Sequence, residues 1–274
     1  MLQFISLSSG SSGNCYFLTD GDHGLLIDAG VSMRRLKRVL GENGFSMQAF
    51  QAVLVTHDHL DHIRHLGAYC KYLQVPVYTT QPILDALNVH SFTRDYIGPS
   101  GRALPPEGGF CLPLGDAEGP LVHHFVVPHD ATQTVAYDLR WAGGHFLLMT
   151  DVGRMVPEGL ALAAQADTVV IESNYDPDML RRGGYPEDLK RRIRSGSGHL
   201  SNEECAAAVK TFWHPGLKNL FLCHLSANNN TPQLAYAATH AALQGIFPES
   251  GGSAADVTRL QILPRGAASR RFDL

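Results

Sequence analysis

Residues 52–62 read Ala52-Val53-Leu54-Val55-Thr56-His57-Asp58-His59-Leu60-Asp61-His62. The opening apolar run is short, rich in valine and bounded by polar residues, which predicts a buried strand. The histidines therefore stand at a strand end, where a loop can aim them at one point. In extended chain His57 and His59 project to the same side, because side chains alternate with period two. That suits the pair to grip one metal ion. Asp61 and His62 follow where Ile63-Arg64-His65-Leu66-Gly67 begins to look helical, so they point elsewhere. The spacing offers half of each of two adjacent metal sites.

The same pattern, an apolar strand ending in a metal-capable residue, recurs downstream. Val126-Val127-Pro128-His129 shows it, as do Leu147-Leu148-Met149-Thr150-Asp151 and Leu220-Phe221-Leu222-Cys223-His224. Strand ends on one sheet edge can converge. His123 and His124 compete with His129, but they lie inside a strand and face opposite sides, so His129 is the preferred ligand.

The chain has 274 residues, 44% of them hydrophobic, which fits one large domain spanning 1–274 with a substantial core. Its 22 basic and 26 acidic residues give a net charge of −4. Such a balance excludes a global basic footprint, so nucleic-acid binding has to come from local patches. The five cysteines, Cys15, Cys70, Cys111, Cys205 and Cys223, form no C-x-x-C pair. That argues for a reduced compartment and against a disulfide framework. No basic, apolar leader opens the chain, and no run reaches the ~18 apolar residues of a membrane span. A cytoplasmic location and no membrane partner are expected.

Around the metal loop the chain reads as strands at Leu2–Leu7, Cys15–Leu18 and Gly24–Gly30, then an amphipathic helix from Ser32 to Leu40. A helix from His65 to Leu73 and a strand from Val75 to Tyr78 follow. Residues 81–120 carry prolines and glycines that suggest loops, short helices and edge strands. Further strands are predicted at 121–127, 134–139, 145–149, 168–171, 219–223 and 258–263. Ser201-Asn202-Glu203-Glu204 is a capping box that opens a helix to Phe212. Thr231-Pro232 opens another to about Leu243. Taken alone, this order predicts an α/β protein with mixed sheets.

His57-Asp58-His59-Leu60-Asp61-His62 resembles the signature of the metallo-β-lactamase fold superfamily. That resemblance implies a four-layer αββα sandwich, two mixed β-sheets flanked by helices. It assigns His57, His59 and His129 to one metal and Asp61, His62 and His224 to a second, with Asp151 bridging. Asp28 matches the superfamily's first motif, with the implied task of orienting the ligand loop by hydrogen bonding. Two divalent ions ~3.5–4 Å apart lower the pKa of a bridging water and stabilise charge on an attacked group. Histidine and carboxylate ligands without cysteine accept zinc, manganese or iron(II). An Asp at position 151, where many superfamily β-lactamases carry Cys, argues against β-lactam hydrolysis.

Three features point to phosphodiesters. The loop Gly10-Ser11-Ser12-Gly13-Asn14 offers small residues, with Ser11, Ser12 and Asn14 as candidate phosphate contacts. Arg181, Arg182, Lys190, Arg191, Arg192 and Arg194 form a basic segment, from which Arg191 and Arg192 are the expected substrate contacts. His199 lies outside the ligand set at a helix start, placed to donate a proton or hold a phosphate oxygen. Glu172 ends a strand without being a ligand and is the expected partner of His199. Asp61, besides being a ligand, joins His199 and Glu172 at the expected centre of catalysis.

Together with Ser9–Cys15, Gly198-His199-Leu200-Ser201-Asn202 and His224-Leu225-Ser226 followed by Asn228-Asn229-Asn230, these motifs resemble the YycJ/WalJ group. The resemblance implies a 5′-to-3′ exonuclease on double-stranded DNA. The chain is too short for the inserted domain of the β-CASP branch. The alternatives are a small-molecule hydrolase, either a cyclic phosphodiesterase or a glyoxalase II-type thioesterase, and a metal-loaded regulatory protein. Oligomeric state is not legible.

Overall fold

A computed structural model describes residues 1–246 and 253–274. The chain builds two seven-stranded sheets. The first sheet takes β1 (Gln3–Ser8), β2 (Cys15–Thr19), β3 (Gly24–Ile27), β4 (Ala52–Leu54), β5 (Val77–Thr79) and β6 (Gly101–Ala103) in spatial order. The second takes β7 (Phe110–Leu114), β8 (Ala117–Val126), β9 (Val135–Trp141), β10 (Gly144–Met149), β11 (Thr168–Glu172), β12 (Asn219–Cys223) and β13 (Arg259–Ile262). β14 (Phe272–Asp273) returns to pair antiparallel with β1.

Both sheets are mixed. β1, β2 and β3 form an antiparallel meander, and β3 through β6 run parallel. In the second sheet β7 through β10 are antiparallel, and β10 through β13 parallel. The inner strands β3, β4, β5, β11 and β12 are buried along their whole length, as Val53, Val169, Val170, Ile171, Leu220 and Phe221 show. That is the pattern of strands covered on both faces.

The sheets pack face to face. Phe4 of β1 meets Phe146 of β10 and Phe221 of β12, each at 5.3 Å between ring centroids. The Tyr137 hydroxyl donates to Val55 O at 2.7 Å, and Val135 N–H donates to Thr56 O at 3.0 Å, tying the metal loop to β9. Helix Met33–Glu42 buries Leu36, Val39 and Leu40 on the outside of the first sheet. A second core under the other sheet receives Cys205, Val209 and Phe212 from helix Asn202–Phe212, and Ala235 and Leu243 from helix Pro232–Gln244. The layers are therefore helix, sheet, sheet, helix, as the sequence resemblance implies.

Parallel β10, β11 and β12 end side by side, with Met149 opposite Ile171 and Ile171 opposite Leu222. Asp151, Glu172 and His224 thus leave one sheet edge together. Asp28 leaves β3, and His57 follows β4, at the matching edge of the first sheet. Among the described residues, no helix is long and apolar enough to cross a membrane.

Candidate metal centre and active site

The strand ends are bent sharply to present these side chains. Asp28, Asp151 and His224 all have positive φ, at 62°, 55° and 52°. Left-handed backbone is uncommon outside glycine, and it clusters where a fold over-determines a functional geometry. Helix Leu60–Ile63 carries Asp61 and His62 immediately after His59, so the loop turns its second pair of ligand candidates away from the first.

His57, His59 and His129 converge with ring centroids 4.8, 5.2 and 4.9 Å apart. Asp61, His62 and His224 form a neighbouring group: His62 Nε2 is 3.6 Å and His224 Nε2 3.4 Å from Asp61 Oδ2. Asp151 lies between the two. Its Oδ2 is 3.1 Å from His62 Nε2, and its Oδ1 is 3.7 Å from His129 Nε2 and 3.4 Å from His224 Nδ1. The seven residues expected from the sequence are thus gathered at one point, as overlapping groups whose ligand atoms lie within 4.8 Å of one another. His123 faces Glu158 at 3.6 Å instead and stays out of the cluster.

The residues suit divalent metal. His57 Nε2 is buried without any hydrogen-bond partner. Burial and the neighbouring His62 hold the His57 pKa well below the ordinary histidine range. A neutral ring with an unused lone pair is what a metal ligand needs and is otherwise costly to bury. Burial would protonate Asp151, but His224 and His62 outweigh it and hold the carboxyl well below its usual range. Burial likewise opposes ionisation of Asp61, and His62 and His224 together overcome it. Burial favours the neutral form of His224, but Asp151, Asp61 and Glu172 together outweigh it and raise its pKa to about 10. The protons that His62 and His224 hold against these carboxylates are the ones a divalent ion would displace on binding.

A surrounding set of side chains fixes the rings. Asp28, fully buried, accepts from Thr56 N–H at 2.9 Å and sits 2.7 Å from His62 Nδ1. That contact leaves His62 Nε2 facing the cluster. The Thr56 hydroxyl lies 2.9 Å from Asp28 Oδ2 and 3.0 Å from His57 Nδ1. His129 Nδ1 lies 2.7 Å from Gly198 O. Ser9 Oγ accepts from His224 N–H at 2.9 Å. Thr56, Ser9 and Asn174, whose amide donates to His224 O at 2.7 Å, were not singled out from the sequence. In the sequence Thr56 is marked only by preceding His57, Ser9 only as part of the Ser9–Cys15 motif, and Asn174 by nothing.

Glu172 is fully buried, with Oε1 2.8 Å from His199 Nδ1 and 2.9 Å from His224 Nδ1. Its Oε2 accepts from Val152 N–H at 2.8 Å and Leu200 N–H at 3.3 Å. Glu172 thus contacts both rings, and with Asp151, His199 and His224 it forms a further metal-capable group. Burial opposes the charged form of His199, and Glu172 outweighs it, so the His199 pKa is raised.

The cluster floors a cleft of about 220 Å³. Ser11 and Arg192 line that cleft, with the Arg192 guanidinium paired to Asp130. The other expected substrate contacts lie elsewhere. Arg191 points outward to Asp188 at 3.2 Å, 77% exposed, because it falls on the opposite face of helix Glu187–Ile193. Ser12 is exposed but does not line the cleft. Asn14 is fully buried: its Oδ1 accepts from Gly10 N–H at 2.7 Å and its Nδ2 donates to Asp61 Oδ2 at 3.1 Å. Gly13 N–H is spent on Gly10 O and Asn14 N–H on Asp61 O, both at 2.8 Å. The glycine–serine loop therefore buttresses Asp61 from below, with Ser11 its residue in the cleft.

The chain belongs to the metallo-β-lactamase superfamily: the family's sequence profile, described as a β-lactamase superfamily domain, matches residues 23–224. Within it the chain is 33% identical over 237 residues to exodeoxyribonuclease YycJ of Bacillus anthracis, covering 85% of this chain and 86% of that protein. It is also 33% identical over 232 residues to exodeoxyribonuclease WalJ of Streptococcus pneumoniae, covering 84% of each. Among solved structures, the metallo-β-lactamase fold protein YhfI of Bacillus subtilis matches with a TM-score of 0.71 at 16% identity, over 98% of this chain and 100% of that one. Zinc-bound PqqB of Methylobacterium extorquens matches with a TM-score of 0.68 at 16% identity, over 99% of this chain and 100% of that one. These two likenesses are of fold.

Proposed function

We propose that this protein is a two-metal phosphodiesterase acting on DNA, an exonuclease that trims duplex ends from 5′ to 3′. The observation that carries the reading is the convergence of His57, His59, Asp61, His62, His129, Asp151 and His224 beneath His199 and Arg192 in one cleft. The 33% identity to relatives named exodeoxyribonucleases, over most of each chain, supports DNA as the substrate.

His57, His59 and His129 would hold one ion, Asp61, His62 and His224 the other, and Asp151 both, with zinc, manganese or iron(II) as candidates. Bound there, the ions supply an activated water and a counter-charge for the phosphate under attack. The chain's own residues do the remainder. Arg192 can release Asp130 to take a phosphate oxygen, a charge-assisted contact that positions the strand. His199, held by Glu172 and raised in pKa, keeps a proton to deliver to the departing sugar oxygen. Asp28 and Thr56 keep the ligand rings in the orientation the reaction needs.

The test is metal-reconstituted protein on end-labelled, 5′-phosphorylated duplex DNA, beside a cyclic phosphodiester and a glutathione thioester. Release of mononucleotides from the DNA is the expected result. Hydrolysis of either small substrate with none of DNA would replace this reading.

A further inference from the structure

The cleft has two chemically different walls, and the machinery above uses only one of them. Facing the histidines and carboxylates stand Tyr185, Leu189 and Ile193. Leu189 and Ile193 are four apart on helix Glu187–Ile193 and share a face. Arg192 lies beside them, whereas Asp188 and Arg191 turn outward. Tyr185 precedes the helix, half-buried, and its hydroxyl accepts from Asn228 Nδ2 at 3.0 Å. That bond pins the ring at the mouth of the cleft.

A phosphate needs the metal-facing wall and Arg192. It has no use for an aromatic ring and two aliphatic side chains, whereas a nucleobase does, since every base offers a flat face for stacking. The cleft is small, about 220 Å³, which favours a single base over a base pair. His57, Asp151 and His224, at 0–2% exposure, lie beneath.

The geometry points to Tyr185, with Leu189 and Ile193, as a platform for the unpaired terminal base of the strand being cut. This rests on the nuclease reading above. The terminal nucleotide leaves its partner, seats its base against Tyr185 and so brings the phosphodiester on its 3′ side to the cluster. Unpairing costs free energy, least at an end that is already mismatched, and the stack offsets part of it.

Three substrates and two variants test this with metal-loaded protein. The 5′-phosphorylated duplexes end in a G·C pair, a mismatch, or an abasic nucleotide. Wild-type protein is expected to start faster at the mismatch than at the G·C pair. Tyr185→Ala should lower kcat/KM at the G·C end roughly 5- to 150-fold, the range for losing one base–aromatic stack, and Tyr185→Phe should restore it. On the abasic end the Tyr185→Ala loss should largely disappear, since the two changes remove the same contact. Metal content and thermal unfolding of each variant establish that it is folded. Equal rates at paired and mismatched ends, or losses from Tyr185→Ala and base removal that simply multiply, overturn the platform and leave the nuclease reading intact. Wild-type protein inert on all three duplexes overturns both.

Discussion

Glu172 holds His199 from below: Oε1 stands 2.8 Å from Nδ1, and the carboxylate is fully buried. The same oxygen reaches His224 at 2.9 Å, so one side chain orients the proton carrier and a ligand candidate together. His199→Ala should therefore lower turnover by ~10²–10⁴ while metal content and folding stay intact, since only the acid is lost. A nitrophenyl phosphodiester, whose leaving group needs no proton, should lose far less. Equal losses on both substrates would show that His199 binds phosphate instead. Glu172→Gln should be worse than His199→Ala in one respect, because it also loosens His224 and so should lower metal occupancy.

Asp151 reaches His62, His129 and His224 at once. Asp151→Ala should reduce occupancy of both ions, measured by elemental analysis of dialysed protein, and abolish hydrolysis. If that variant keeps two ions and most of its rate, Asp151 does not bridge.

Asp28 contacts no cleft, yet it sets the His62 ring. Asp28→Ala should weaken metal binding by about 10- to 100-fold, the usual cost of losing a partner that orients a ligand. Chelator competition reads this directly. Unchanged affinity would mean that Asp28 serves only the turn after β3.

Gly30 marks how tightly the ligand loop is buttressed. A Cβ there would lie 1.9 Å from Asp61 O and 2.5 Å from Asn14 N. Gly30→Ala should destabilise the protein by about 1–3 kcal/mol, as overpacking does, and weaken metal binding through Asp61. A thermal melt unchanged from wild type would show that the loop can give way.

Metal removal should lower the melting temperature, because bound ions stabilise the folded state that carries their ligands. Readdition should restore it. A melt indifferent to chelator would place the ions outside the folded core.

His57, Asp151 and His224 were legible as candidates because each follows an apolar strand, and parallel β10, β11 and β12 bring their ends together; the grouping with Asp61 and His62, which sit in the short helix Leu60–Ile63, rests on the family resemblance. Ser201 and Glu204 were legible as a cap because their contact is local, at 2.8 Å between Ser201 N–H and Glu204 Oε2. The Phe272–Asp273 strand was not, since pairing it with Gln3 crosses nearly the whole chain and leaves no local periodicity. Helix Glu187–Ile193 was hidden in a basic run, and the phase of that helix separates Arg192 in the cleft from Arg191 outside it. Asn14 reads in the sequence as a candidate phosphate contact; only the folded loop shows its amide bonded to Gly10 and Asp61.

The central claim is that these residues form a two-metal nuclease. The most direct measurement is mononucleotide release from 5′-phosphorylated duplex DNA by wild-type, His59→Ala and Asp151→Ala protein, each purified identically and supplied in turn with zinc, manganese and iron(II). Release by the wild type with at least one metal, and by neither variant, is the expected result. No release with any metal, or equal release by the variants, would contradict it.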